Sequence, residues 1–209
     1  MSRNVTQDVK ESSVIALFPL HTVLFPGGPL PLRIFETRYT DMVRRCMREQ
    51  EPFGVVLIQE GDEAGDVATT ATVGCTARIA DFHTLHDGLL GISCVGDRKF
   101  RVQRVWRASD GLNMGEVSWL PAERVLALPA RYGHLATTVR RALEDLSEHY
   151  EYVEKKFEDA GWIGARLTEL LPIELTDKQA LLELEDPIER LDTLLTVVPS
   201  PEQGSGTDS

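Results

Sequence analysis

A chain of 209 residues can bury a sizeable core without staples, and its 42% apolar and 26% charged residues are those of a folded protein. The net charge of −11 disfavours anionic membrane surfaces, and it makes nucleic acid a poor partner, because phosphate binding relies on clustered Lys and Arg. No apolar run approaches the roughly 20 residues that a bilayer span needs, and residues 1–13 hold no apolar stretch of the kind a secretory leader carries.

In chain order, residues 1–12 and 199–209 lack apolar periodicity and are expected to be flexible tails. Between them the pattern changes once, near Pro121 to Pro129. This divides the expectation into a β-rich unit over 13–124 and a helical unit over 125–198, an α+β class. Residues 14–20 form a short apolar run. The cluster Pro26-Gly27-Gly28-Pro29 is turn punctuation. Leu30, Leu32 and Ile34 then alternate with Pro31 and Arg33 at strand period, and Pro31 assigns that strand to an edge or a start. Over 36–50, Tyr39, Met42, Val43, Cys46 and Met47 recur at three and four spacing, which predicts a helix with one buried face. Glu51-Pro52 ends it.

Strands are expected again over 53–59, followed by a loop over 61–65. Runs over 72–82 and 89–95 flank Asp87-Gly88, a hairpin signal. The run 98–107 alternates with one slip after Gln103-Arg104, where a bulge fits. Asp110-Gly111 turns into 112–120. Short strands with turn signals this regular suggest a barrel or sandwich. The helical unit opens with one long periodic stretch over 129–160, carrying Leu135, Val139, Leu143, Leu146, Tyr150, Val153 and Phe157, with Gly161 as its terminator. Shorter helices are expected over 162–171 and 176–184, and from Asp186-Pro187 onward, a cap followed by a first-turn proline.

The chemistry-bearing residues form no recognised constellation. There is no GxxxxGK[ST] or GxGxxG loop to cradle phosphates, and no GxSxG elbow. Ser93 and Ser118 read as strand hydroxyls, and neither Lys99 nor Lys178 has a serine with a reason to pair with it. His83 and His86 are close in sequence, but only Cys75 among the thiols is near and no second ligand pair follows, so loop histidines are the default reading. Cys46, Cys75 and Cys94 are odd in number and lack CxxC spacing, which argues against a disulfide framework and for a reducing cytoplasm. No cofactor or metal is expected. The cluster Arg38, Arg44, Arg45, Arg48 reads first as a solvated helix face.

The motifs carry more. Phe18-Pro19-Leu20-His21-Thr22-Val23-Leu24-Phe25-Pro26-Gly27-Gly28 and Leu30-Pro31-Leu32-Arg33-Ile34-Phe35-Glu36 resemble the opening of the Lon protease N-terminal domain. Ile34-Phe35-Glu36-Thr37-Arg38-Tyr39 is similar to a characteristic stretch of its single-domain bacterial branch. Val73-Gly74-Cys75-Thr76-Ala77-Arg78-Ile79 and Gly96-Asp97-Arg98-Lys99-Phe100-Arg101-Val102 resemble two of its strands. Leu171-Pro172, Asp177-Lys178-Gln179-Ala180-Leu181-Leu182-Glu183 and Asp186-Pro187-Ile188-Glu189-Arg190-Leu191 resemble its helical signature. The resemblance spans about 14–198.

This resemblance implies a PUA-like β-barrel followed by a helical bundle, and a role in recognising unfolded or tagged proteins. The family's ATPase and protease parts would follow this region, so the expectation is a non-catalytic module without them. Cereblon has a related domain, but the cysteine pairs of its zinc-containing part are missing here. Most signature residues read as fold-keeping: Asp186 as a cap, Glu189 and Arg190 as partners for neighbouring helices. The expected partners are exposed peptide segments and a protease system, with Phe35, Arg38, Tyr39, Leu85 and Leu89 as the contact surface beside an edge strand. An RNA-binding PUA-like module and an unrecognised hydrolase remain the alternatives. Oligomeric state is left open.

Overall fold

The computed structural model describes residues 12–61 and 69–198. The tail segments 1–11 and 199–209 and most of the loop expected over 61–65 lie outside the described residues. Seven strands and five α-helices follow in order: β1 Ser12–Leu20, β2 Pro29–Ile34, α1 Thr37–Glu49, β3 Phe53–Glu60, β4 Thr69–Thr70, β5 Val73–Thr84, β6 Leu90–Arg107, β7 Asn113–Trp119, α2 Gly133–Asp145, α3 Ala160–Leu170, α4 Leu175–Glu183 and α5 Pro187–Leu195. The class is α+β, as the sequence predicts.

Strand pairing closes a circuit. β1 pairs antiparallel with β7, β7 with β6, β6 with β5 and β5 with β3, and β3 returns to β1 in parallel. β1 serves two partners because its register divides: residues 12–17 face β7, and residues 17–20 face β3. Trp119 ties the same seam by donating its indole N–H to Ser13 Oγ at 3.0 Å. β6 divides in the same way. Residues 90–95 pair with β2, and residues 100–107 pair with β7. The two expected strands over 89–95 and 98–107 are therefore one strand, and the predicted slip falls between Val102 and Arg104.

The joint between the halves of β6 is Gly96. The Pro26-Gly27-Gly28 turn docks there: Gly27 N–H donates to Gly96 O at 2.7 Å, and Gly96 N–H donates to Gly28 O at 2.8 Å. A Cβ on Gly96 would sit 2.1 Å from Phe25 O, a backbone atom that cannot step aside. Both hairpin turns are built alike. Asp87 accepts from Leu89 N–H at 3.1 Å and Asp110 accepts from Leu112 N–H at 3.0 Å, and each aspartate is followed by a glycine with positive φ, Gly88 or Gly111.

Two large apolar clusters lie against the sheet. Phe18, Leu20, Ile34, Phe53 and Ile92 pack with Tyr39, Met42, Val43 and Cys46 of α1. Phe25, Leu57, Val73 and Val95 pack with Leu135, Val139, Ile163, Leu167, Leu182 and Leu191 from the later helices. Cys46, Cys75 and Cys94 are buried free thiols.

The long helix expected over 129–160 is corrected to a short 3-10 turn, Ala130–Tyr132, then α2, which stops at Asp145. Residues 146–159 run as turns, although Tyr150 and Val153 still reach the core that their periodicity promised. Electrostatics explains the break. Glu144, Asp145, Glu148 and Glu151 would repel one another at helical spacing and oppose the dipole at the helix C-terminus. Gly161 is likewise not a terminator. Asp159 caps α3 by accepting Trp162 N–H at 2.8 Å, and Gly161 lies inside that helix.

Gly96→Ala is expected to cost about 3 kcal/mol through overpacking. Gly133→Ala, with open space around it, is expected to be neutral or stabilising by up to about 1 kcal/mol. Urea denaturation of both variants checks the contrast.

Candidate functional site

The register gathers several of the expected contact residues at one end of the sheet. Among the described residues β2 pairs with β6 alone, so its other edge is open. Ile34 lies opposite Leu90, and Leu90 lies opposite Thr84. Phe35, Leu89 and Leu85 are the next positions at that same end. An Arg33–Asp87 ion pair joins β2 to the hairpin tip. Phe35 is 64% exposed, a large aromatic ring left in solvent. A depression of about 410 Å³ lies beside it, lined by Leu20, Leu30, Leu32, Phe35 and Tyr39 among others. A second, of about 480 Å³, is lined by Pro31, Leu32, His83, Leu85 and Ile92.

Tyr39 and Arg38 are placed differently from Phe35. The Tyr39 ring is buried and stacks on Phe18 with centroids 3.8 Å apart, so it forms packing under the depression. Arg38 lies over that ring at 4.8 Å, donates to Gly111 O at 3.0 Å and pairs with Glu36 at 2.8 Å. Its role in the fold is to fasten α1 to the β6–β7 turn. Arg44 and Arg48 are solvated, each paired with a carboxylate of its own helix.

The junction between sheet and helices is polar and buried. Glu123, in the connector after β7, accepts from Arg190 at 2.5 and 2.9 Å and from Lys99 Nζ at 2.9 Å. The two cations also donate to backbone carbonyls at the end of α4. Lys99 reaches Leu182 O at 3.0 Å and Leu184 O at 3.1 Å, and Arg190 reaches Leu181 O at 2.8 Å. Burial by itself would raise the Glu123 carboxyl, but the bonds and charges of Arg190 and Lys99 outweigh it and hold the carboxyl below its ordinary value. A second buried pair stands in α3. Arg166 forks onto Glu169 with two contacts of 2.7 Å and also donates to Pro26 O at 3.1 Å. Burial pushes the Glu169 carboxyl up, against the pull of Arg166.

Reactive groups are tied into the structure. Burial pushes the Cys94 thiol up to about 12, which keeps it protonated at neutral pH. Ser118 Oγ accepts from Gln103 at 3.0 Å. Lys99 is held by Glu123 and two carbonyls, and Lys178 donates to Glu169 O at 2.9 Å. His83 and His86 are exposed beside the hairpin turn. Among the described residues no three His, Cys, Asp or Glu side chains converge as a metal site, and no helix is long and apolar enough to cross a membrane. Reading the sequence missed Glu123, Lys99, Arg166 and Glu169 as partners. For Arg166 the available signal was a cation inside an apolar run, Ile163-Gly164-Ala165-Arg166-Leu167; Lys99 lies among charged neighbours and carried no such signal.

The β2 end thus combines an open strand edge with one depression of mixed lining and one that is mainly apolar. The chain belongs to the Lon substrate-binding domain family: the family described as "ATP-dependent protease La (LON) substrate-binding domain" matches residues 14–198. The Lon N-terminal domain protein from Xanthomonas campestris superposes with a TM-score of 0.73 at 40% identity, over 90% of this chain and 99% of that one. The N-terminal domain of Lon protease from the Mycobacterium avium complex shares the fold, with a TM-score of 0.60 at 15% identity, over 88% of this chain and 97% of that one. A Lon protease of Cytophaga hutchinsonii is 25% identical over 89% of this chain. Cereblon of Danio rerio is 34% identical over 51% of it. The chain spans about a quarter of the length of these two relatives, 24% and 25%.

Glu123→Ala would leave two buried cations uncompensated, and it is expected to lower stability by about 3 kcal/mol. The folded carboxyl is the stronger acid, so the junction's contribution is whole above about pH 4.5. It is lost as pH falls through the lower folded value. Glu123→Gln is expected to flatten that acid limb in chemical denaturation followed from pH 7 downward.

Proposed function

We propose that this chain is a non-catalytic substrate-binding module that captures exposed, extended apolar segments of other proteins at the β2 end of its sheet. It acts in the cytoplasm as an adaptor that delivers such segments to a protease system. The β-rich part over 13–124 is read as PUA-like and the part over 125–198 as a helical bundle. The carrying observation is the solvent-exposed Phe35 at the open strand end, in a chain whose family is defined by substrate binding. Burying a ring of that size on a partner is worth about 2 kcal/mol. The depressions on either side of β2 accept alternate side chains of an extended segment, because successive residues of a strand point to opposite faces. Within the surface, Phe35, Leu85 and Leu89 make the contact, and Arg38 and Tyr39 support it from beneath.

Fluorescence anisotropy with a labelled, permanently unfolded protein, and its folded form as control, tests this reading. The unfolded form is expected to bind selectively, and Phe35→Glu with Leu85→Glu is expected to weaken it by about tenfold or more. Equal affinity for both forms would remove the function. Unchanged affinity in the folded double variant would remove the site.

A further inference from the structure

A second concave surface lies where the sheet meets the helices, away from β2. It encloses about 1140 Å³, more than twice either depression beside β2. Arg78 and Arg98 reach it from the sheet, Arg140 from α2, and Lys155 and Lys156 from the segment between α2 and α3. In all, seven Lys and Arg side chains line the groove against five carboxylates, in a chain whose net charge is −11. Lys99 pairs with Glu123 and Lys156 with Glu154, both at 2.9 Å, and the remaining cations leave a local positive excess in an acidic protein, which favours acidic partners. Apolar surface is interleaved with the charge. Val125 is 87% exposed on this surface, and Phe157 and Trp162 meet edge to face with centroids 5.1 Å apart.

An independent observation lies at Gly27, where the turn lines the groove. Trp162 Nε1 and Arg166 Nη1 are buried donors without an acceptor. Both face the Cβ-free side of Gly27: a Cβ there would stand 4.0 Å from Trp162 Nε1 and 3.2 Å from Arg166 Nη1. The rest of the Arg166 fork is engaged by Glu169 and Pro26 O. Buried donors, one of them charged, are costly to leave unpaired, and a carboxylate supplies two acceptor oxygens to such a pair.

We propose that this groove is a second binding site, for an acidic, carboxylate-bearing segment of a partner protein, with one carboxylate seated against Gly27 and Trp162 and drawn by the buried Arg166 guanidinium beneath them. A nucleic acid fits less well. Its strands carry charge at every step, and Asp97, Glu123, Glu154, Glu158 and Asp159 would oppose that charge along the groove. A peptide sets its carboxylates apart and places apolar side chains between them, opposite Val125, Phe157 and Trp162.

The test is anisotropy with a short labelled peptide alternating Glu and Leu, its Gln counterpart, and a single-stranded RNA. The Glu peptide is expected to bind, to weaken with salt, and to lose about tenfold in affinity in the exposed double variant Lys155→Glu, Lys156→Glu. Trp162→Phe keeps an aromatic ring and removes the donor; some stability is lost with the smaller core ring, and the variant, compared below its unfolding transition, is expected to weaken binding several-fold. Phe35→Glu is expected to leave this binding unchanged, which separates the groove from the β2 surface. Equal affinity for the Gln peptide, displacement of the Glu peptide by RNA, or no effect of the lysine reversals would each overturn the proposal.

Discussion

One half-buried carboxylate holds the architecture together. Glu123 sits between Lys99 of β6 and Arg190 of α5, and it is the point where the strand half, the connector and the last helix meet. The same two cations serve the C-terminus of α4, whose final carbonyls have no partner of their own within the helix. Three needs are met by one set of groups: a charge is compensated, a helix end is satisfied, and α5 is fixed against the sheet. Arg190 is wholly buried, so water cannot substitute for its bonds to the α4 carbonyls. The Arg166–Glu169 pair does the equivalent for α3, where the guanidinium also takes the carbonyl of Pro26 from the turn before β2. Gly28 is required beside it, because a Cβ there would stand 2.0 Å from Glu169 Oε1.

This scaffold leaves two dissimilar surfaces. At the β2 end the chemistry is apolar and the geometry is that of an open strand. Pro29 and Pro31 stand in that strand and carry no N–H. They discourage a second copy from zipping onto the edge while leaving the side-chain depressions accessible. At the sheet–helix boundary the chemistry is mixed charge over aromatic rings. β5 and β6 contribute to both surfaces, whereas β2 and the hairpin tip serve only the first, and α2, α3 and the connector after β7 serve only the second. The junction residues contribute to the second surface as wall, not as contact, since Lys99 and Glu123 spend their bonds on each other and on α4.

Much of the fold was legible because local signals agreed with the final packing. The spacing of Tyr39, Met42, Val43 and Cys46 marks a helix face that is buried as read, but Met47, read as part of the same face, is exposed at the last turn. Asp87-Gly88 and Asp110-Gly111 mark turns whose aspartates and glycines do what those residue types are suited to. The stretch 129–160 misled for a definable reason. Leu146, Tyr150, Val153 and Phe157 keep helical spacing, and Tyr150 and Val153 are buried, but the acidic residues between them make continued helix costly. Periodicity reports which residues face a core and does not report which backbone carries them there. Phe35 was legible as a contact candidate from its motif and its place after an edge strand. Tyr39 shared that motif and lies in the packing. The Glu123 junction was not legible, because its members are separated by up to 91 positions in the chain (Lys99 to Arg190), and only the tertiary fold brings them together.

The closed strand circuit also fixes an order of events at birth. β1 is the first of the described strands, yet its antiparallel partner β7 lies about a hundred residues later, with Ser12 opposite Ser118. Until β7 is made, residues 12–17 of β1 have no neighbour on that side, and pairings this distant in sequence form slowly. α5 comes still later, so Glu123 and Lys99 wait in water for Arg190 before they can be enclosed. A protein proposed to gather extended segments of other chains thus holds, until β7 arrives, such a segment of its own in the first half of β1.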